Sequence, residues 1–292
     1  MNYVILDLEW NGCYSKRLNG FINEIIEFGA VKLNENFEII GQFSMLVRPA
    51  IGKRIRSSVK NLTSITNDDL KHGSPFTYAV NKFRKFVDGC VLMTWSTSDL
   101  VTLEANCSYY FGKPKIPFVK QYVDLQAYCQ DMLGIGNKNS LGLVAAAEML
   151  GLNVDDIPHH RAVGDSIVSA KCFQALYYEP TFSAYIQNAE TDAFYERLNF
   201  HNTFITSLDN EAIDRSVMFF NCNVCGARAE QQKDWEAKNK SFYSSFRCPY
   251  CENTFKGKIQ FKVKYDGILP IKKVIVPKQT EEKNEEPNEK IS

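Results

Sequence analysis

The stretch "YVILDLEW" at residues 3–10 begins as a buried strand and then places two carboxylates on that strand. Asp7 and Glu9 are two positions apart, so their side chains point to the same side of a strand, where side chains alternate with a period of two. Two like charges held this close raise the free energy unless a cation lies between them. Taken alone, the pair could also lie at the end of a strand and face solvent. Further acids elsewhere in the sequence are needed to distinguish a cation-binding pair from a solvent-exposed strand end.

The segments that follow predict an α/β fold with a mixed sheet. Residues 22–33 and 37–49 have strand patterns and form an antiparallel meander with residues 2–9. Beyond residue 75, short apolar strands alternate with amphipathic helices, which is typical of a sheet flanked by helices. The predicted divisions are an α/β domain at 1–180, a helical connector at 181–215, a small β module at 216–266 and a charged, disordered tail at 267–292.

Composition limits the function classes without selecting one. The chain has 292 residues, of which 34 are basic and 34 acidic, so its formal net charge is zero. Any nucleic-acid-binding surface must therefore be a local basic groove. An N-terminal signal segment and a long apolar run are both missing from the sequence. We therefore expect a soluble, cytoplasmic protein with no membrane partner.

Two more acids and a histidine extend the carboxylate pair. Asp99 follows a buried strand and lies where a helix begins, a position where it could also cap that helix. Asp165 lies five residues after His160, a little more than one helical turn, so both can approach one site. Four carboxylates suit Mg²⁺ or Mn²⁺, which prefer oxygen ligands. A histidine, with a pKa near 6.5, could accept a proton from an attacking water.

These motifs together resemble a known enzyme family. The "DLE" at 7–9, Asp99 after "WSTS" and the spacing from His160 to Asp165 are similar to the motifs of the DEDDh (DnaQ-like) 3′-to-5′ exonucleases. The stretches "NEIIEFGAV" and "LTSIT" resemble that family's second strand and the turn after its meander. The resemblance covers about residues 1–180 and implies a ribonuclease-H-like fold, two Mg²⁺ or Mn²⁺ ions and removal of mononucleotides from a 3′ end.

The resemblance also assigns roles to residues. It implies that four acids bind metal: Asp7, Glu9, Asp99 and Asp165. It implies that His160 is the general base. The neighbouring His159 is the alternative base, although its distance from Asp165 breaks the family spacing.

Substrate contacts and the branch of the family are also implied. Leu8 lies between the two acids with its side chain expected in the core and its backbone beside the terminal nucleotide, and Trp10 follows the acids and could stack on a base. The tryptophan in the second motif resembles the Eri-like and KapD-like exoribonuclease branch. That resemblance implies single-stranded nucleic acid as the substrate, with RNA favoured over DNA.

The C-terminal half contains four cysteines in two pairs. "CNVC" at 222–225 and "CPYC" at 248–251 are separated by 22 residues, and four thiolates satisfy tetrahedral Zn²⁺ as a structural site. The spacing predicts a zinc-ribbon-like β module whose folding depends on metal, with ligands Cys222, Cys225, Cys248 and Cys251. Its mixture of basic and aromatic residues suits contact with nucleic acid, or equally a small core with a solvated surface. Docking of a protein partner is also open.

Several functions remain to be distinguished. The leading hypothesis is a metal-dependent 3′-to-5′ exonuclease, and a DNA proofreading or repair exonuclease would use the same site. A ribonuclease-H-like endonuclease would release oligomers instead of mononucleotides. A non-catalytic adaptor would act through its cysteine module, but the intact set of four acids and one histidine argues against this last function.

Overall fold

The first unit of the protein contains a six-stranded mixed sheet. The computed structural model describes residues 1–136, 140–157 and 161–276 and divides into two units, Met1–Asn199 and a second from Phe200 onward. The strand order is β3-β2-β1-β4-β5-β6, in which β1, β4 and β5 are parallel and the other neighbours antiparallel. The strands are β1 Asn2–Ser15, β2 Gly20–Leu33, β3 Ile39–Leu46, β4 Cys90–Thr94, β5 Gln121–Asp124 and β6 Gln187–Asn188.

Helices cover both faces of this sheet, which confirms the predicted α/β class. Alternate residues of β1 enter different cores: Leu6 packs with α3, α4 and α9, and Ile5 packs with α5, α6 and α7. The helices are α1 Ser57–Thr63, α2 Asn67–Lys71, α3 Phe76–Val87, α4 Ser98–Phe111, α5 Leu125–Met132, α6 Leu143–Met149, α7 Ala162–Leu176, α8 Glu179–Phe182 and α9 Asp192–Leu198, with a short 3₁₀ turn at Ser183–Tyr185.

The first strand is longer than the predicted segment 2–9. Its pairing with β2 continues to Ser15 opposite Gly20, and the register shifts between Glu9 and Trp10. Such a bulge increases local twist and re-aims side chains. The bulge therefore lies immediately after the two carboxylates of the strand.

The predicted connector at 181–215 is corrected by the structure. Its first part belongs to the first unit, because β6 pairs with β5 and Phe194 and Tyr195 of α9 pack in the core. The remainder belongs to the second unit, because β7 (Thr203–Phe204) pairs with β11 (Thr254–Lys264). Tertiary packing places the boundary after Asn199, where the sequence shows no clear change in composition.

The second unit is a separate antiparallel sheet with two small cores. Its central strands are β10 (Ser241–Arg247), β11 and β12 (Gly267–Ile275), joined by the short β8 (Glu230–Gln231) and β9 (Glu236–Lys238), and a 3₁₀ turn lies at Arg215–Val217. Phe242, Ile259 and Phe261 fill one core, and Phe220, Phe246 and Phe255 fill the other.

The strand β12 also corrects the predicted tail at 267–292. Residues 267–275 pair along the length of β11 and extend its sheet, although none of them is fully buried. The rest of that prediction, residues 277–292, lies outside the described residues. Among the helices of the described ranges, none combines the length and the apolar character that crossing a membrane requires.

Candidate active site

Three acids meet beside the middle of the first strand, just beyond the point where its parallel pairing with β4 ends. Oxygen atoms of Asp7, Glu9 and Asp165 all lie within 4.8 Å of one another. Asp7 pairs with Gly29 across the sheet and Glu9 pairs with Glu27, so the first two acids project from one rigid strand. The sequence predicted this convergence, and a cluster of this kind offers a divalent metal ion its preferred oxygen ligands.

The fourth predicted acid, Asp99, is anchored to the same strand. The backbone N–H of Leu8 donates a hydrogen bond of 2.9 Å to its Oδ1 atom, and the Asp99 side chain is buried. The strand β4 pairs in parallel with β1 as far as Thr94 opposite Leu6, one residue before Asp7, and α4 begins shortly after, at Ser98. The N-cap position of α4 is Thr97, so Asp99 lies in the first helical turn and does not cap the helix.

A close contact between β2 and α7 places Asp165 in the cluster. A Cβ atom at Gly29 would lie 2.1 Å from the backbone of Ala162 and Val163, so only glycine permits this approach. The Ser166 hydroxyl then donates a hydrogen bond of 3.0 Å to the carbonyl oxygen of Gly29. Because Gly29 is the partner of Asp7, the contact brings the first turn of α7 over the acids.

Sequence reasoning missed an ion pair between the buried Glu27 and the partly exposed Arg161, which supports this arrangement. Arg161 donates two hydrogen bonds to the Glu27 carboxylate, Nη2 to Oε1 at 2.6 Å and Nε to Oε2 at 3.1 Å. Glu27 also accepts the backbone N–H of Ala162 at 3.3 Å, so a residue of β2 caps α7. The available signal was an acid within the apolar strand "NEIIEFGAVKL", at the register position of Glu9.

The acids are electrostatically unfavourable without a cation. Burial, followed by the charges of Asp165 and Glu27, raises the pKa of Glu9 to about 8. Burial raises the pKa of Asp99 to about 7, although the Leu8 N–H opposes the shift. Burial and the neighbouring acids also raise the pKa of Asp7 well above its usual value. Each shift indicates that a positive charge would stabilise the ionised cluster.

These shifts predict how stability depends on pH when no divalent ion is bound. The ordinary pKa of Glu9 is 4.5 and its folded value is about 8, so the folded chain binds more protons between these limits. The stabilising contribution is complete below about pH 4.5 and is lost as pH rises through 8. We expect the melting temperature in buffer free of divalent cations to fall from pH 5 to pH 8, and Mn²⁺ to restore more at pH 8.

The Glu9→Gln variant is the control for this pH dependence. Because Gln cannot ionise, the melting temperature of this variant should vary less across the same pH range, measured by thermal unfolding. A parent protein whose melting temperature rises steadily from pH 5 to pH 8 would contradict the expectation.

The ion pair provides a second prediction. Arg161→Ala leaves the buried Glu27 carboxylate with a single backbone donor. We expect a loss of about 2 kcal/mol in the free energy of unfolding, and an increase of about tenfold in the Mn²⁺ concentration for half-maximal activity. Chemical unfolding and a Mn²⁺ titration measure the two effects.

A double variant separates the ion pair from general damage. Glu27→Gln/Arg161→Ala removes the uncompensated charge and should recover part of the lost stability. Arg84→Ala, which truncates an exposed arginine of α3, is the matched control and should behave as the parent. Equal stability of Arg161→Ala and the parent would show that the pair does not support the site.

An open cavity of about 810 Å³ lies against the acids. Leu8 and Trp10, predicted to contact substrate, line it together with Trp95 and Leu143. Trp95 packs against the second core of the sheet, its indole Nε1 donates to the carbonyl of Leu141 at 3.1 Å, and it also borders the cavity. The cavity therefore has aromatic and apolar walls beside the carboxylates. His160, the predicted base, and its rival His159 lie outside the described residues.

Comparison with known proteins identifies the family. A family model described as Exonuclease (RNase_T) matches residues 4–173, more than half of the chain. The chain belongs to the exonuclease family. The matched region contains all four acids. The prediction of a DEDDh 3′-to-5′ exonuclease is confirmed at the level of the family and the enzyme class.

Curated relatives of this exonuclease have related functions. "Probable 3′-5′ exonuclease KapD" of Bacillus subtilis (strain 168) is 28% identical over 178 residues, which cover 59% of this chain and 83% of KapD. "DNA polymerase III PolC-type" of Lactococcus lactis subsp. lactis (strain IL1403) is 26% identical, and the match covers 56% of this chain but 9% of the polymerase. Both alignments cover less than two thirds of this exonuclease.

Solved structures share the fold. A complex described as "3′-end specific recognition of histone mRNA stem-loop by 3′-exonuclease" has a TM-score of 0.53 and 21% identity, covering 65% of this chain and 71% of that chain. The nuclease domain of 3′hExo, a DEDDh family member bound to rAMP, has a TM-score of 0.50 and 23% identity, covering 59% and 90%. The predicted ribonuclease-H-like fold is thereby confirmed.

The four paired cysteines of the exonuclease converge in its second unit. Their sulfur atoms all lie within 4.8 Å of one another, with Cys222 3.5 Å from Cys251 and Cys225 3.4 Å from Cys248. The two turns have the same form, because the residue after each second cysteine, Gly226 or Glu252, has a positive φ. Its backbone N–H bonds to the carbonyl of the first cysteine in each turn.

The chemistry of this cluster fits a structural metal ion. Backbone N–H groups of Cys225 and Val224 lower the pKa of the Cys222 thiol to about 6, which favours the thiolate that binds metal. The backbone N–H of Cys251 similarly lowers the pKa of Cys248. Four sulfur ligands in two matched turns could hold Zn²⁺ in a closed tetrahedral site.

Proposed function

We propose that this exonuclease removes nucleotides from the 3′ end of single-stranded nucleic acid, with RNA preferred over DNA. The observation that carries the proposal is the meeting of Asp7, Glu9 and Asp165 within 4.8 Å, with Asp99 hydrogen-bonded to the strand between the first two. Side chains from β1, α4 and α7 thus form one oxygen-rich site. A strand terminus would have room beside it in the adjoining cavity.

The acids are proposed to hold two divalent ions, Mg²⁺ or Mn²⁺. Their oxygen-only donor set fits hard cations, and the raised pKa of Glu9 means that binding displaces protons from the cluster. When bound, such ions supply charge neutralisation for the attacking and leaving oxygens of a phosphodiester. The Leu8 N–H and the Glu27–Arg161 pair keep the carboxylates oriented for that role.

His160 is proposed as the general base that accepts a proton from the attacking water. The family spacing to Asp165 supports this choice over His159, and Asp165 itself lies among the acids. A histidine that is neutral near pH 7 can accept the proton without first losing one.

Side chains around the site suit a nucleic-acid strand. Leu8 and Trp10 are proposed to contact the terminal nucleotide, with Trp95 on the same cavity wall as a further stacking surface. Further along β1, a second cavity of about 770 Å³ is lined by five cations: Lys16, Arg17, Lys53, Arg54 and Arg56. A local basic surface of this kind suits phosphates upstream of the 3′ end, although the whole chain is neutral.

The choice of RNA rests on similarity, and DNA is the alternative. KapD is named a 3′-5′ exonuclease without a stated sugar, and the stem-loop complex names histone mRNA as the ligand of its 3′-exonuclease. The PolC-type relative is named a DNA polymerase, which favours the proofreading alternative. Contacts with the 2′-hydroxyl distinguish the two sugars, so the question is experimental.

The test is a time course on matched 5′-labelled single-stranded RNA and DNA with Mg²⁺ or Mn²⁺. A descending ladder of products shows an exonuclease, and the faster ladder identifies the preferred sugar. Internal fragments would indicate an endonuclease. Absence of cleavage of either strand would overturn the proposal and favour an adaptor that binds without hydrolysis.

A further inference from the structure

The second unit has a sheet face that carries lysines and no acids along two strands. β11 and β12 contain six lysines and no aspartate or glutamate in "TFKGKIQFKVK" and "GILPIKKVI". Alternate residues of β11, including Phe255 and Ile259, enter the cores, so the residues between them face away. Five lysines therefore share the outer face of the two strands: Lys256, Lys258, Lys262, Lys264 and Lys273.

The cross-strand register holds two of these charges together. Lys258 lies directly opposite Lys273, and like charges placed opposite each other destabilise a sheet. Among the residues that the structure describes, none of the five ammonium groups forms an ion pair or a hydrogen bond. Within the described part of the chain, the acids at strand positions on this face are Glu230 and Glu236, on β8 and β9 at the opposite edge of the sheet. Of the five lysines, Lys256 lies nearest to acids, because it lines one cavity with Asp234 and Glu236.

The sixth lysine shows what a structural role would look like. Lys272 points to the other face, where its Nζ donates a hydrogen bond of 3.0 Å to the carbonyl of Val217 and lies 3.8 Å from the ring centroid of Phe219. The ammonium group of Lys272 is therefore stabilised by contacts within the second unit. The five outer lysines have no comparable contact among the described residues, so folding of the unit does not account for them.

We propose that this face, defined by the five lysines and called the lysine face below, binds the phosphate backbone of the nucleic-acid strand. The choice of nucleic acid over other polyanions rests on the proposed function of the first unit. Half-exposed Tyr243 lies opposite Lys258 on β10, and it offers a ring on which a base can stack. Lysines contact phosphates, which are the same at every nucleotide, and so the lysine face binds without sequence preference.

The test measures strand binding in a background that cannot degrade the probe. The full chain carries Asp7→Asn, and the probe is a 5′-labelled single-stranded 20-mer followed by fluorescence anisotropy at several salt concentrations. Adding Lys258→Ala/Lys262→Ala/Lys264→Ala removes three cations. Loss of three phosphate contacts should lower the salt slope of log Kd by about 2, and weaken binding by at least about tenfold at 0.1 M salt.

Matched variants separate charge from folding. Lys82→Ala/Lys85→Ala/Lys120→Ala removes three exposed lysines of the first unit and should retain the parent affinity. Replacing the same three residues of the lysine face with arginine should restore binding. Bound zinc per chain is measured for each variant, so that loss of the cysteine site is recognised as unfolding.

Two outcomes would overturn the proposal. The first is an alanine variant whose affinity for the probe and salt slope equal those of the parent. The second is an alanine variant that loses binding to anionic lipid vesicles, tested in parallel, but keeps its binding to the nucleic-acid probe. RNA and DNA should lose affinity to a similar degree, because both have phosphates. The binding assay needs no turnover, so an inactive first unit would leave this result intact. An active enzyme with an unaltered alanine variant would refute the lysine face alone.

Discussion

Asp7→Asn should reduce kcat by about a thousandfold while leaving the fold intact. Asp7 is half-buried among acids and shares the cluster with Glu9 and Asp165. Asparagine preserves the size of the side chain but removes the negative charge that the proposed metal site needs. Charge stabilisation by bound metal contributes several kcal/mol to such reactions, and about 4 kcal/mol corresponds to about a thousandfold in rate.

The measurement is the rate of shortening of 5′-labelled RNA at saturating Mn²⁺. Asp88→Asn, at an exposed aspartate that follows α3, is the matched control and should keep the parent rate. The metal-free Asp7→Asn protein should be at least as stable as the parent, because it loses one repelling charge. Retention of more than a tenth of the parent activity would show that Asp7 is not an essential ligand.

Removing one cysteine ligand should unfold much of the second unit and spare the first. In Cys248→Ser, three thiolates remain, and a structural zinc site contributes roughly 10–16 kcal/mol of apparent binding free energy. Two small aromatic cores cannot replace a contribution of that size. Amide hydrogen exchange in the full chain should therefore show lost protection in β10 and β11, with β1 and β2 still protected.

Zinc content provides the companion measurement. The parent should contain one Zn²⁺ per chain and Cys248→Ser much less, whereas Cys90→Ser, at a half-buried cysteine outside the cluster, should retain both zinc and protection. A parent protein without zinc, or a Cys248→Ser unit that remains fully protected, would contradict the structural metal site.

The local motifs of the sequence were sufficient to predict both clusters. Asp7 and Glu9 can be recognised in the sequence because they are charged residues within an otherwise apolar strand. Each C-x2-C pair can be recognised because its spacing allows two thiolates to bind one ion. The helix α2 is a further local case, because the hydroxyl of its N-cap residue Thr66 accepts the Asp69 N–H as part of a capping box. In each case the information lies within one turn or one strand.

Contacts between distant segments could not be predicted in the same way. Arg161 meets Glu27 across 134 residues of sequence, and no periodicity within either segment specifies that partner. The division at 181–215 failed for the same reason, since α9 is assigned by packing against the first core and β7 by pairing with β11. The strand β12 was missed because its pairing with β11 compensates for a weak local pattern.

By itself the sequence determined which chemical groups this protein carries: four ordered acids, the exonuclease family that they indicate, and four cysteines whose spacing predicts a structural metal site. Only the tertiary structure decided how these groups are held. Gly29 allows α7 to approach β1, the Leu8 N–H orients Asp99, and strand register gathers the lysines on one face. The physical reason is that residue type and spacing specify local geometry, whereas packing and pairing depend on partners far along the chain.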